Sequence, residues 1–359
     1  MRLGIIGLPN SGKTTIFNAL TGSDMETVAV AGGRFELHTA VVNVPDRRVD
    51  RLSAMYNPKK TTYTQVTYVD IAGLDKGVGE GGIQGQFRQE LSQVDGYVHV
   101  VRVFEDDTVP HPYEDIDPAR DLEMLDTELL LTDLVTIETR LERIQNDIRV
   151  KGKNVDKSVT SEGELLEKMQ AHLEDEKPLR SFGLTAEQEK SLRGYGFLTL
   201  KPVLVVLNMG EETHDPQSLV TYDHPQSTVA GLQGKIEAEI AQLEAEDAEM
   251  FMEEFGITER GADKVIRLSY ELMAIQSFFT VGEDEVRAWS VPIGATAPEA
   301  AGAIHSDLQK GFIRAEVMRY DDLLDGGSEA ALKASGKFRL EGKEYVVQDG
   351  DVVHIRFNI

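Results

Sequence analysis

Gly7–Thr14 reads GLPNSGKT, and the apolar run RLGII stands directly before it at residues 2–6. The spacing is G-x-x-x-x-G-K-[ST]. In such a loop the backbone amides point inward and cradle phosphate oxygens, helped by the positive end of the helix that follows. Here that helix is IFNALTG, with apolar positions at helical spacing. The order strand, Gly-rich loop, helix is the context the motif requires. It assigns Lys13 to the β- and γ-phosphates and the Thr14 hydroxyl to Mg²⁺, with Asn10, Ser11, Gly12 and Thr15 completing the cradle.

Working outward, Phe35–Val44, Tyr63–Ile71, Gly96–Phe104 and Lys201–Leu207 are rich in β-branched and aromatic residues and read as strands. Helical patterns lie between several of them. The alternation predicts an α/β fold, a Ras-like P-loop NTPase domain with a mostly parallel sheet.

Two segments break the alternation. From Asp117 onward, Leu130, Leu134, Ile137, Leu141, Ile144 and Ile148 step by four and three, a heptad seam flanked by charge. After the polar stretch RVKGKNVDKSVTSEGE, Leu166, Met169 and Leu173 form a second stripe. This predicts an antiparallel α-helical coiled-coil hairpin inserted before the sheet resumes at Lys201. Its tip is locally basic, with Arg140, Arg143, Arg149, Lys151, Lys153 and Lys157 against Glu142, Asp147 and Asp156. Residues 235–254 read as an acidic helical segment with a solvated face. Beyond residue 277 short strand-like runs (VRAWSVP, GFIRAEVMRY, DVVHIRF) indicate a small α+β domain. The expected organisation is 1–116 with 198–276 as the nucleotide-binding domain, 117–197 as the helical insertion and 277–359 as the C-terminal domain.

Asp70–Gly73 reads DIAG at the end of a strand. In P-loop proteins an Asp here approaches Mg²⁺ and the Gly amide meets the γ-phosphate, so Lys13, Asp70 and Gly73 are the expected catalytic group and Thr14 with Asp70 the metal pair. Leu74 stands where many GTPases carry a water-orienting Gln, which implies slow intrinsic hydrolysis. Asn10 can help hold a monovalent cation, K⁺, beside the phosphates. The base is addressed by Val206–Glu212, VLNMGEE. A guanine-reading protein has N-K-x-D; this chain has Asn208, Met209 and Glu211. The longer Glu and the apolar Met weaken the case for GTP, and Ala230–Leu232 (Ala230, Gly231, Leu232) is a candidate last base loop.

The net charge is −25, the sign opposite to that of a free-standing nucleic-acid binder, and no DNA partner is expected. No run of 18 apolar residues exists and no membrane span is expected. The N-terminus carries no h-region or cleavage site, so a signal peptide is not expected. The chain has no cysteine, which excludes disulfides and thiolate metal sites and fits a cytoplasmic protein.

Together GLPNSGKTTIFNALTG, VDIAGL, HVVRVFEDD, DPARDLEMLDTELLLTDL, FLTLKPVLVVLN and the C-terminal blocks ending DGDVVHIRFNI resemble the YchF or Obg-like ATPases, in the Obg group of P-loop proteins. The resemblance runs through nearly the whole chain. It implies a C-terminal TGS domain of β-grasp type, use of ATP with N-x-x-E at Asn208–Glu211, a hydrophobic residue in place of the catalytic Gln, and association with ribosomes, expected through the helical tip and the TGS domain; a monomer is expected. One departure stands out. The first-switch motif N-Y-P-F-x-T is replaced by VAVAGGRFELHTAVVNVPD, where Thr39 is the nearest threonine and comes late. A GTP-dependent translation or assembly factor, and a binding module that holds nucleotide with little turnover, stay open as alternatives.

Overall fold

A computed structural model describes residues 1–25, 37–71, 83, 85–152, 155–212, 214–254, 257 and 259–358. Its contacts divide the chain into two units, Met1–Val41 with Thr67–Leu272 and Val42–Val66 with Met273–Ile359.

The first unit begins with β1 (Arg2–Ile6) and α1 (Lys13–Thr21). The chain then runs through β2 (Leu37–Asn43), α2 (Arg47–Tyr56), β3 (Lys60–Thr62) and β4 (Gln65–Ile71). After α3 (Gly85–Gln93) and β5 (Gly96–Arg102) come the long helices α4 (Pro118–Lys151) and α5 (Lys157–Glu174), then α6 (Ala186–Leu192). The unit closes with β6 (Val203–Asn208), α7 (Pro216–Leu219), β7 (Ser227–Leu232), α8 (Gly234–Ile240), α9 (Ala245–Glu254) and α10 (Gly261–Leu272). The sheet order is β2-β4-β1-β5-β6-β7, with β4, β1, β5, β6 and β7 mutually parallel. All residues of β5 and β6 are buried, as expected of central strands covered on both faces. This is the α/β P-loop architecture the sequence predicts. The predicted acidic helix at 235–254 is two helices, α8 and α9.

The helical insertion is a hairpin. Asp117 caps α4 by accepting from Arg120 N, Pro118 occupies the first turn, and Gly152 ends the helix. Ile137, Leu141 and Ile144 of α4 pack with Leu166, Met169 and Leu173 of α5 in one buried cluster. Of the predicted seam, Leu130 and Leu134 are half-buried, and Ile148 is 43% exposed. Arg140 grips Glu162 with two bonds, 2.9 and 2.7 Å. Where the hairpin rejoins the sheet, the fully buried Asp133 carboxylate accepts from Leu198 N (2.8 Å), Thr199 N (2.8 Å) and Thr199 Oγ1 (2.7 Å). Burial pushes its pKa up to about 6, against the pull of those donors.

The second unit contains β8 (Ile275–Thr280), β9 (Glu285–Pro292), α11 (Ala297–Ile304), α12 (Ser306–Lys310), β10 (Phe312–Arg319), α13 (Tyr320–Gly326), α14 (Glu329–Ser335), β11 (Arg339–Glu341) and β12 (Asp351–Phe357). Its mixed sheet has the order β11-β10-β12-β8-β9-β3. The sequence reading placed 42–66 in the nucleotide-binding domain; by contacts this segment belongs with 273–359. Strand β3 pairs in parallel with β9, and Val49 and Leu52 of α2 share a core with Phe279, Val286, Met318 and Val352. Arg48 fixes the segment through Asp349 at 2.6 Å. The reason is hydrophobic: α2 has one apolar face, and this sheet is what covers it. Among the described residues no helix is long and apolar enough to cross a membrane.

Removing the Asp133 side chain leaves three buried donors unpaired. Asp133→Ala is expected to lose on the order of 3 kcal/mol of stability, read as a lower urea midpoint, while Thr139→Ala on the exposed side of α4 changes it little.

Candidate functional site

The site lies at the carboxyl ends of β1, β4, β5 and β6. The P-loop leaves β1 at Gly7 and enters α1 at Lys13. Gly12 sits in the left-handed region at φ 89°, and a Cβ there would stand 2.1 Å from Asn208 Nδ2. Lys13 Nζ folds back onto the loop, donating to Gly7 O at 3.1 Å and Leu8 O at 2.9 Å. The Ser11 Oγ is buried without a hydrogen-bond partner.

Thr14 and Asp70 are in contact: Thr14 Oγ1 donates to Asp70 Oδ2 at 2.8 Å. Asp70 is 1% exposed, and its Oδ1 has no hydrogen-bond partner. Burial raises its pKa, opposed by Thr14, Lys13 and His38. A buried carboxylate oxygen left open beside a threonine hydroxyl suits Mg²⁺. Among the described residues no group of three His, Cys, Asp or Glu could hold a metal by itself. A cation here would therefore complete its shell from phosphate and water, as Mg²⁺ does at nucleotide sites. Thr15 lies half-buried in the first turn of α1. Gly73 and Leu74 lie outside the described residues, as do residues 28–36 of the first-switch stretch, whereas Thr39 lies on β2.

Asn208, 3% exposed at the end of β6, joins two loops. Its Nδ2 donates to Ser11 O at 3.0 Å and its Oδ1 accepts from Gly234 N at 3.2 Å. Sequence reasoning named Asn208 but missed Gly234, where a Cβ would stand 2.6 Å from Asn208 Oδ1 and 2.8 Å from Ile16 Cδ1. It also missed Gln233, whose Nε2 donates to Gly210 O at 3.1 Å and Glu211 O at 2.9 Å, holding the NMGE backbone. A Gln-Gly pair opening a helix was the only signal. Ala230, Gly231 and Leu232 are not a loop: they end strand β7, and Leu232 O accepts from Met209 N at 2.8 Å. Strand pairing with β6 wins because every residue from Ser227 to Leu232 stands in parallel register with one of Val203–Asn208. Met209 is buried in the sheet core over Gly231, while Glu211 is exposed.

A third wall was not foreseen. The buried guanidinium of Arg102 donates to Phe104 O (3.1 Å) and Val109 O (2.9 Å) and lies 4.3 Å above the Phe104 ring. It shapes the loop after β5, and Asn10 Nδ2 ties that loop to the P-loop through Pro110 O at 2.9 Å. Next to it, His111 Nδ1 accepts from Tyr113 N, so its Nε2 carries the proton donated to Asp121 Oδ2 at 2.8 Å. On β5 itself, His99 is 1% exposed and neither ring nitrogen has a hydrogen-bond partner. Burial, then the charges of Lys13 and Arg180, lower its pKa to about 3, so the ring is neutral.

The chain is similar to known proteins along its length. Residues 2–137 match the family described as 50S ribosome-binding GTPase, and residues 275–358 match the YchF-type GTPase C-terminal family, described as a protein of unknown function. A Bacillus subtilis protein named ribosome-binding ATPase YchF is 45% identical, covering 99% of this chain and 99% of its own length. An Escherichia coli protein of the same name is 41% identical over 100% and 99% of the two chains. The structure of the Schizosaccharomyces pombe YchF GTPase superposes with a TM-score of 0.82 at 31% identity, covering 99% of this chain and 97% of that one.

Two outcomes follow from the geometry. Gly234→Ala is expected to push Asn208 off the P-loop and weaken nucleotide binding at least about tenfold by calorimetry, roughly the loss of one buried hydrogen bond. His99 has its folded pKa near 3, below the ordinary value of about 6.5 in an unfolded chain. The unfolded state therefore takes up the proton first, and stability present above pH 6.5 is lost as pH falls toward 3, about 2 kcal/mol of it by pH 5. His99→Leu is expected to flatten the melting temperature between pH 6.5 and 5.

Proposed function

Because the chain belongs to the YchF family, we propose that it is a cytoplasmic, Mg²⁺-dependent, ATP-binding switch protein that hydrolyses ATP slowly and associates with ribosomes as a monomer. The observation that carries this reading is the Thr14–Asp70 pair beside Lys13. A hydroxyl, an open carboxylate oxygen and an ammonium held on loop carbonyls are gathered at the P-loop. Lys13 would exchange those carbonyls for phosphate oxygens, and Thr14 and Asp70 would hold Mg²⁺. Bound Mg²⁺ would neutralise charge on the phosphates. Gly73 would sense the γ-phosphate, and Leu74 leaves the attacking water without a side-chain partner, which favours slow turnover. The oxygen of Asn10, whose nitrogen is engaged by Pro110, is the atom that would take K⁺.

Adenine offers no donor at the edge where guanine presents two, so a carboxylate set back at Glu211 favours ATP. The relatives from Bacillus subtilis and Escherichia coli are named ATPases, whereas the fission yeast protein is named a GTPase, and that name keeps GTP as the second reading. For ribosome contact, Arg143, Arg149 and Lys157 are the available cations among the described residues of the hairpin tip; Arg140 is occupied by Glu162, Lys151 has Asp147 at 3.5 Å, and Lys153 lies outside the described residues. The C-terminal unit would supply the other contact, as a TGS domain.

Calorimetric titration of ATP and GTP with Mg²⁺ tests the reading. Tighter ATP binding is expected, with binding lost in Lys13→Ala; tighter GTP binding would overturn the ATP assignment, and unchanged binding in the variant would overturn the site. Turnover is expected to be faster in potassium than in sodium buffer, and equal rates would remove Asn10 from a cation site.

A further inference from the structure

Apart from the nucleotide site, the first unit has a groove of about 710 Å³ between α4, the end of α5 and the segment from Ser218 to His224. That volume is in the range of ligand-binding clefts. Its walls are mixed: Leu122, Leu130 and Leu134 of α4 with Leu173, Leu219 and Val220 supply apolar side chains, set among polar ones such as Thr127, Thr199 and Tyr222. On the lip Leu131 is 38% exposed, and Val135, one helical turn further, is 50% exposed. Helix α4 thus offers a solvent-facing ridge of apolar side chains at spacings of three and four, the pattern against which another helix packs.

Charge selects the occupant. Among the described lining residues three exposed carboxylates, Glu123, Glu174 and Glu176, and the half-buried Asp126, hydrogen-bonded to Tyr222, stand against one guanidinium, Arg180. That guanidinium is turned inward, donating to Tyr222 Oη at 2.6 Å and reaching Thr199 O at 3.5 Å. A phosphate backbone would meet a rim of its own sign. A cationic segment with apolar anchors meets both features. We propose that this groove docks a lysine- and arginine-rich amphipathic helix of a protein partner, laid along α4 with its apolar side chains between Leu130 and Leu219. The site is separate from the hairpin tip, where cations outnumber carboxylates.

The test uses the full chain and fluorescence anisotropy with three labelled probes: an amphipathic Leu/Lys helical peptide, its Leu/Glu counterpart and a single-stranded RNA oligonucleotide. The Leu/Lys peptide is expected to bind at least tenfold tighter than the other two. The double variant Glu123→Lys with Glu174→Lys, both exposed positions, is expected to weaken it at least tenfold, and Leu131→Ser with Val135→Ser to weaken it also. Glu249→Lys with Glu253→Lys on exposed α9 makes the same change of net charge elsewhere and is expected to leave binding as it was. Equal loss in both double reversals would show general attraction to a chain of net charge −25 and would overturn the proposal. So would no loss in the groove variants, no preference for Leu/Lys, or RNA binding that the groove variants abolish.

Discussion

The side-chain amide of Asn208 is the point on which the nucleotide site depends. One amide can donate and accept at once, and here it does both with backbone groups of different loops: Ser11 O in the P-loop and Gly234 N at the start of α8. Because β6 is buried along its whole length, the amide is carried on a rigid support. The two loops are therefore fixed relative to the sheet and to one another. Glycine is required at both contacts for a steric reason. A methyl group at Gly12 or Gly234 would occupy the space that the amide fills. Gln233 then extends the same brace to the NMGE backbone, so phosphate cradle and base loop form one hydrogen-bonded frame.

This frame explains what the sequence could and could not disclose. GLPNSGKT is legible because phosphate binding by backbone amides needs a contiguous run of residues, and contiguity is what a sequence records. The hairpin is legible because two long stripes at helical spacing have few other ways to hide apolar surface. Gly234 is different. Its need arises from proximity to Asn208 and Ile16, far away in the chain, and nothing local marks it. The Ala230–Leu232 stretch was misleading for the related reason that a strand end and a loop share small residues, and only pairing with β6 decides between them.

The segment from Val42 to Val66 shows the same limit at a larger scale. Its composition does not change at either end, and its strands and helix suit either unit. The decision rests with the apolar face of α2, which is buried with Phe279 and Val352, residues more than two hundred positions away. A break in composition marks a domain only when the chain enters it once. Here the chain lends a helix and a strand to a sheet whose other strands come from the far end of the sequence, so the boundary is written in packing alone.

The Asp133 carboxylate, finally, shuts the hairpin off from the sheet. By holding Leu198 and Thr199 against α4, it brings the outgoing and returning chain together before the coiled part begins. Everything beyond that clasp is a closed excursion whose length has no bearing on where β6 starts. The hairpin can accordingly be shortened, extended by whole turns or exchanged for another helical pair while the nucleotide frame keeps its register. Among related chains, length variation would collect there, and for an engineer it is a ready splice point.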